Sequence, residues 1–329
     1  MKLEFLIKEL SETDGLGGLD GAIKVAEKYL TEFASVTRRN NAVFGLIGEG
    51  ERLVLLDAHI DEIGMVVTDV SDGFLRVAPM GGIDPRILPA TRVKIHGKET
   101  VNGVFCSVPP HLKRDESEVV PTDEQYIDTL LGDKAKEVIP VGSRVTFDQT
   151  LKALNGGLVT GKSLDNRAGV AALIRCAELL STKKLNCRVA ILLSDMEELG
   201  LRGARVDSFQ LDPEEAIVVD VSFGNSPDIE EYKTGELGKG PMIGVSPVLS
   251  VEVTEKLQKL AEQKNIPCQT EVMGGTTSTN ADVISVNRSG VKTGLVSIPL
   301  RNMHTPVEII DIADIENTAR LLAEYILSF

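Results

Sequence analysis

The sequence predicts an α/β protein: a three-layer sandwich with a mostly parallel central sheet, plus an inserted small β-barrel-like domain. Three observations carry that expectation. From about Gly161 onward, apolar strand-like runs alternate with segments whose apolar residues recur at helical spacing, the pattern of a parallel sheet covered by helices. Runs such as LVLL at 53–56 are apolar without alternation, as strands buried on both faces are. Between about 71 and 157 the pattern changes to short alternating strands broken by Gly and Pro, which suits a small barrel or sandwich.

In chain order, MKLEFLIKELSETDG reads as a short amphipathic helix carrying acids, residues 21–34 as a second helix, and residues 41–47 as a strand. The buried strand LVLL follows. The central segment offers FLRVAPM, TRVKIHG, VNGVFCSV and SRVTFDQ as strands, with one helical patch, EQYIDTLLGDKAKEV. SLDNRAGVAALIRCAELLS is a helix with Ser163 or Asp165 as its cap. CRVAILLSD and EEAIVVDVS are strands, VLSVEVTEKLQKLAEQKNI an amphipathic helix, GVKTGLVSIPL a strand and IADIENTARLLAEYILSF a closing helix. At 329 residues the chain is long for one core. The expected division is a discontinuous catalytic domain of residues 1–70 and 158–329, and an inserted β-rich domain of residues 71–157.

The bulk properties exclude several classes. Hydrophobic content of 42% and charged content of 26% are those of an ordinary globular protein. A net charge of −14 argues against a nucleic-acid partner and against an anionic membrane surface. No apolar stretch approaches the ~18 residues of a membrane span, and the N-terminus does not read as a signal peptide. Cys106, Cys176, Cys187 and Cys268 are scattered and form no CxxC, so a reducing cytoplasm is expected. Cys106, ending VNGVF, is expected to pack as a small hydrophobe.

The polar residues that stand at strand ends carry the chemistry. His59 and Asp61 follow LVLLDA, two apart, so both side chains leave an extended backbone on one face. Asp165 opens a helix, Glu197 and Glu198 follow VAILLSDM, Asp220 ends AIVVD, and His304 follows TGLVSIPLRNM. Taken singly these are a strand-end hydrogen bond, a helix cap, a solvated turn and a loop histidine. In an open α/β sheet, however, ligands bind at the carboxyl ends of the strands. Five carboxylates and two imidazoles meeting there would repel one another without cations between them. Divalent zinc, cobalt or manganese suits such donors, and a carboxylate can bridge a pair.

DAHIDEIG, GKSLDNRAG, MEELGLRGA, VVDVS and IPLRNMHTPVE resemble, in order, the motifs of the M42 family of dinuclear metallo-aminopeptidases. That family includes glutamyl aminopeptidases and tetrahedral self-compartmentalising peptidases. GGIDPRILP, PPHL and VTFD resemble its second domain, and LGKGP and GGTTSTNADVI add to the likeness. The resemblance implies two divalent metal ions per subunit, with Asp165 bridging them. His59 and Glu198 would complete one site, and Asp220 and His304 the other. Asp61 would orient His59, and Glu197 would be the general base. It further implies attack of a metal-bound hydroxide on the first peptide carbonyl of short peptide substrates, with a glutamyl preference. A homo-oligomer, a tetrahedral dodecamer with contacts through the insert, is implied as well.

The chain departs from the family pattern where Thr277 follows Gly275 and Thr276 in place of an aspartate; Asp282 comes later. Lys239 and Arg301 are the candidate cations for an acidic first residue, and His96 and His111 read as structural or interfacial. Two other classes compete. An endoglucanase-type glycoside hydrolase would use paired carboxylates, but the chain has no Trp and 4% aromatics to stack on sugars. A non-catalytic scaffold would be expected to have lost a ligand or Glu197, and none is lost.

Overall fold

The computed structural model describes residues 2–39, 41–112, 119–227 and 229–329; residues 113–118, inside the expected insert, lie outside the described residues. Helices α1 (Leu3–Glu12) and α2 (Gly21–Leu30) lead into strands β1 (Ser35–Arg39), β2 (Ala42–Ile47) and β3 (Leu53–His59). Next come β4 (Gly64–Ser71), β5 (Phe74–Met80), β6 (Arg92–His96), β7 (Thr100–Phe105), β8 (Ile127–Asp128), the one-turn helix α3 (Ala135–Val138) and β9 (Arg144–Phe147). The chain returns through β10 (Lys152–Ala153) and β11 (Leu158–Gly161) to helix α4 (Leu164–Leu180). It then runs β12 (Arg188–Ser194), α5 (Arg202–Leu211), β13 (Glu215–Phe223), β14 (Met242–Val245), α6 (Val251–Gln263) and β15 (Gln269–Val272). Helix α7 (Ala281–Ile284), β16 (Lys292–Leu300), β17 (Glu308–Asp311) and α8 (Ile312–Leu327) close it.

The main sheet has the strand order β1-β2-β12-β3-β13-β16-β14-β15. Its central strands β12, β3, β13 and β16 run parallel, and antiparallel pairs appear toward the edges. Strand alternation sorts the apolar side chains into two cores. Val54, Leu56 and Ala58 of β3 meet residues of α1, α2, α4, α6 and α8 on one face. Leu53 and Leu55 meet residues of α5 and α7 on the other. Each such buried Leu or Val contributes roughly 1.5–3 kcal/mol relative to exposure. The alternation also fixes where the polar ends of the strands point, because a one-residue slip would turn Asp57 and His59 to the opposite face.

Strands β4 to β9 form a closed barrel in the order β4-β5-β8-β7-β6-β9. Met65, Leu75, Val77, Val93, Ile95, Phe105 and Val145 fill its interior, and closure leaves no free sheet edge. The barrel begins at Gly64, ahead of the expected boundary at residue 71. The helical patch expected over EQYIDTLLGDKAKEV is a correction: Ile127 belongs to a barrel strand and fills the interior, and only Ala135–Val138 makes an α-helical turn. Cys106 is also corrected. Gly103 and Phe105 turn inward on β7, so the following cysteine faces out and is exposed. All four cysteines are free thiols.

Candidate metal-binding site

The alternation that buries the strands also builds the site. On β3 the face carrying Leu53 and Leu55 continues with Asp57 and His59; on β13 the face carrying Ala216 and Val218 continues with Asp220 and Ser222. Asp57 pairs with Val218 across these parallel strands, so two residues further on His59 falls beside Asp220. Ser194 of β12 is in register with His59, and Ser297 of β16 with Asp220. Four parallel strands thus present polar residues on the α5/α7 face, at their carboxyl ends.

The loops beyond those ends complete the cluster. His59 Nε2 lies 3.1 Å from Asp165 Oδ1 and 3.6 Å from Asp220 Oδ1. His304 Nε2 lies 3.3 Å from Asp165 Oδ2 and 3.4 Å from Glu198 Oε1. Asp165 therefore turns one oxygen to each imidazole. Three sets of donor atoms fall within 4.8 Å of one another: His59 with Asp165 and Asp220, Asp165 with Glu198 and His304, and His59 with Glu197 and Glu198. Beside the expected grouping of His59 with Glu198, the imidazole contacts set Asp220 with His59 and Glu198 with His304. Asp220 groups with His59 because β3 and β13 are neighbours in register, whereas His304 reaches Asp165 from the loop after β16, on the side where Glu198 stands.

The supporting contacts are specific. Asp61 accepts the backbone N–H groups of Glu197 and Glu198 at 3.1 and 3.2 Å, and its Oδ1 lies 3.4 Å from His59 Nδ1. His304 Nδ1 lies 2.8 Å from the carbonyl oxygen of Gly82, in the segment after β5. Donation there leaves Nε2 free to face the carboxylates. Glu308, buried at the start of β17, accepts the N–H of Asp165 and the N–H of His304. Sequence reasoning missed this residue; its signal was a carboxylate beside an apolar run, in VEII. Asp57, also missed, accepts from Asn280 Nδ2 at 2.8 Å.

In the metal-free chain the titrations are pulled in opposite directions. Burial pushes Glu197 up to about 9; His59 opposes this and Asp220, Glu198 and Asp165 add to it. Burial likewise raises Glu198 and Asp220, and drives Glu308 well up. Asp165 resists its burial because hydrogen bonds from His304 and His59 hold it below the usual carboxylate range. Burial also works against both imidazolium ions, but the carboxylates prevail, raising His59 well up and His304 to about 11. Groups raised in this way would give up their protons on taking a divalent cation.

The donor set fits such an ion. Bonds of ~2.1 Å at tetrahedral angles set ligand atoms ~3.4 Å apart, and the imidazole–carboxylate separations run from 3.1 to 3.6 Å. His59 Nδ1 is buried and lacks a hydrogen bond, with Asp61 Oδ1 the carboxylate oxygen that faces it at 3.4 Å. The cluster opens into a cavity of about 700 Å³ that Ser222, Phe223, Glu271, Met273, Met303 and residues 276–279 also line. Asp282 shapes that last loop by accepting the N–H groups of Thr277 and Ser278. Arg301 lines a different cavity and donates to the backbone and side chain of Asn225, and Lys239 is exposed. Neither borders the donor cluster. His96 bonds Thr146 Oγ1 at 2.9 Å, and His111 is exposed.

A sheet whose carboxyl edge gathers imidazoles and carboxylates into one open cavity defines a hydrolase of the metal-dependent class. The model of the M42 glutamyl aminopeptidase family matches residues 41–321, and the chain belongs to that family of aminopeptidases. It is 32% identical to the lysyl aminopeptidase of Pyrococcus furiosus, over 96% of this chain and 94% of that one. Among solved structures, the aminopeptidase APDkam598 from the archaeon Desulfurococcus kamchatkensis superposes with a TM-score of 0.93 at 29% identity, covering 99% of this chain and 95% of that one. The TET1 peptidase of Pyrococcus horikoshii, which assembles into a tetrahedron or a large octahedral shell, gives a TM-score of 0.89 at 28% identity, covering 99% of both chains. Among the described residues no helix is long and apolar enough to cross a membrane.

Proposed function

We propose that this aminopeptidase removes the first residue of short peptides with a pair of divalent ions, zinc, cobalt or manganese, held by five side chains. Asp165 would bridge the pair, with His59 and Asp220 on one side and Glu198 and His304 on the other. The observation that carries this is the pair of donor sets that share Asp165 and take one imidazole each. When bound, such a pair supplies Lewis acidity, lowering the pKa of water from ~15.7 to around 7 and polarising the scissile carbonyl.

The chain's own residues do the rest. Glu197 stands beside His59 and Glu198, faces the cavity, and takes the proton of the attacking water before passing it to the leaving amine. Asp61 fixes the backbone of Glu197 while orienting His59. Gly82 and Glu308 set the ring and backbone of His304.

The architecture is read as a three-layer catalytic domain of residues 1–70 and 158–329, with residues 71–157 as a β-rich oligomerisation domain whose barrel draws its first strand from just before residue 71. The assembly is read as a tetrahedral dodecamer, an inference supported by the likeness to TET peptidases. An endoglucanase reading leaves both imidazoles without a role. The test is hydrolysis of aminoacyl-p-nitroanilides by protein stripped of metal and then reloaded with zinc, cobalt or manganese. Turnover that returns with metal supports the reading. A folded, metal-loaded protein that turns over no anilide would sink it.

A further inference from the structure

A substrate pocket selects a charged first residue by presenting the opposite charge and rejects one of like charge. Among the described residues lining the donor cavity there is no Lys and no Arg, and Glu271 is the one carboxylate outside the donor cluster. From the geometry of Glu271 we infer that the first residue of the preferred peptide carries a basic side chain, lysine or arginine, whose cationic end this carboxylate binds. The inference rests on the aminopeptidase reading above and names its substrate class.

Glu271 sits on β15, in register with Gly244 of β14, which presents no side chain on that face. Its carboxylate reaches across the sheet. One oxygen accepts a hydrogen bond from Ser222 Oγ of β13. The other accepts from Ser297 Oγ of β16 at 2.8 Å. Two strands therefore fix the carboxylate in one orientation. A carboxylate offers about four acceptor positions, so two remain for a charge-assisted bond to an ammonium or a guanidinium.

The position suits a side chain and not the reacting bond. Ser222 follows Asp220 by two residues on the same face of β13, ~6.6 Å along the strand, and Ser297 is the register partner of Asp220. A substrate whose first carbonyl lies at the donor cluster can extend its first side chain over this step, within the reach of a four-carbon stem. Phe223, Met273 and Met303, which line the same cavity, offer apolar surface along which such a stem lies while its charged end stays with Glu271. An acidic first residue would meet Glu271 with no cation in the lining to offset it, a repulsion that acts as discrimination. Glu271 is half-buried and held between two serines, so it selects by charge and by the length of the side chain that reaches it.

The experiment compares the metal-loaded wild type with Glu271→Gln and Glu271→Ala on lysyl, arginyl, leucyl, alanyl and glutamyl p-nitroanilides. The wild type is expected to show at least a tenfold higher kcat/KM for lysyl than for leucyl substrate, and the lowest value for glutamyl. In Glu271→Gln the lysyl-to-leucyl ratio should fall by tenfold or more, with the loss mainly in KM. A uniform fall across the panel would overturn the inference, because Glu271 would then hold the α-amino group common to all substrates. A wild type that prefers glutamyl or leucyl substrate would overturn it as well. Binding of lysinamide and leucinamide, measured by calorimetry on the same proteins, reads the preference without turnover. A tenfold lysinamide advantage that Glu271→Gln abolishes supports the inference even if the anilides are inert, and equal affinities overturn it.

Discussion

Glu197 combines burial with three neighbouring carboxylates and stands beside His59 and Glu198, the place that the proposed general base would need. Replacing it with Gln keeps the shape and removes the basicity, so turnover is expected to fall by roughly 10²–10⁴-fold. Metal content, measured by elemental analysis of the dialysed protein, should stay at the wild-type value; a parallel loss of metal would make Glu197 a ligand instead. The histidines predict a second effect. In the metal-free chain His304, raised to about 11, and His59, raised well up, carry protons near neutral pH, and a metal takes only the neutral imidazole. Binding must therefore release protons, so apparent affinity should rise with pH, tenfold per unit for each proton released. Calorimetry in two buffers of different ionisation enthalpy counts those protons, and a buffer-independent heat would contradict the assignment. At this scale the sequence was most legible where an ionisable residue ended an apolar run, as His59 and Asp220 do. The apolar pattern does not reveal which imidazole meets which carboxylate, a pairing that only the family resemblance supplied, because it depends on β3 and β13 being neighbours in register, a contact across more than 150 residues of chain. Glu308 left only a faint trace, since its work is done through the backbones of two residues far apart in sequence.

The elements position those residues through contacts that the apolar pattern alone does not reveal. The loop after β5 holds the ring of His304 through the Gly82 carbonyl, and a methyl carbon added at Gly82 would lie 2.8 Å from His304 Nδ1. Gly82→Ala should push that ring off its line with Asp165 and Glu198. Glu308→Gln should loosen the backbone on which both Asp165 and His304 sit, while keeping its volume. Each change is expected to weaken metal affinity on the order of 10–100-fold, the usual cost of losing a group that orients a ligand. Competition with a chelator of known affinity would measure this, and an unchanged affinity would show that the loop and β17 are passive. Helices and buried strands of the α/β part were readable because burial imposes a period on long segments. The opening of the barrel was not: Gly64–Ser71 continues the chain three residues beyond Asp61 and looks like more of the same apolar stretch. Ile127 was likewise misread as helical, since a two-residue strand has no period to detect.

For the whole molecule, composition says little about assembly, because a charge of −14 and 42% apolar residues fit a monomer or a shell equally well. The surface is more informative. Val104, at 44% exposure, and Leu130, at 90%, stand on the outside of the barrel with Val108, Leu112 and Tyr126 also exposed. Scattered apolar residues are ordinary on a surface, yet these lie on one small closed unit whose interior is already filled by its own core. Such a unit has no need of them for its own folding, and they are the kind of residue that a subunit interface desolvates. Val104→Asp combined with Leu130→Asp should therefore split the assembly, since an unpaired carboxylate in each contact is repeated by symmetry at every copy of the interface. Light scattering of the purified variant should show a smaller species than the wild type. Hydrolysis of single-residue anilides should persist within a few-fold, because the donor residues come from the main sheet and its loops, with Gly82 the nearest barrel contribution. Longer peptides should then be attacked faster relative to short ones than in the wild type, if a closed shell had been limiting their entry. An unchanged assembly would move the subunit contacts off the barrel. A smaller species with an unchanged length preference would separate oligomerisation from the sieving of substrates.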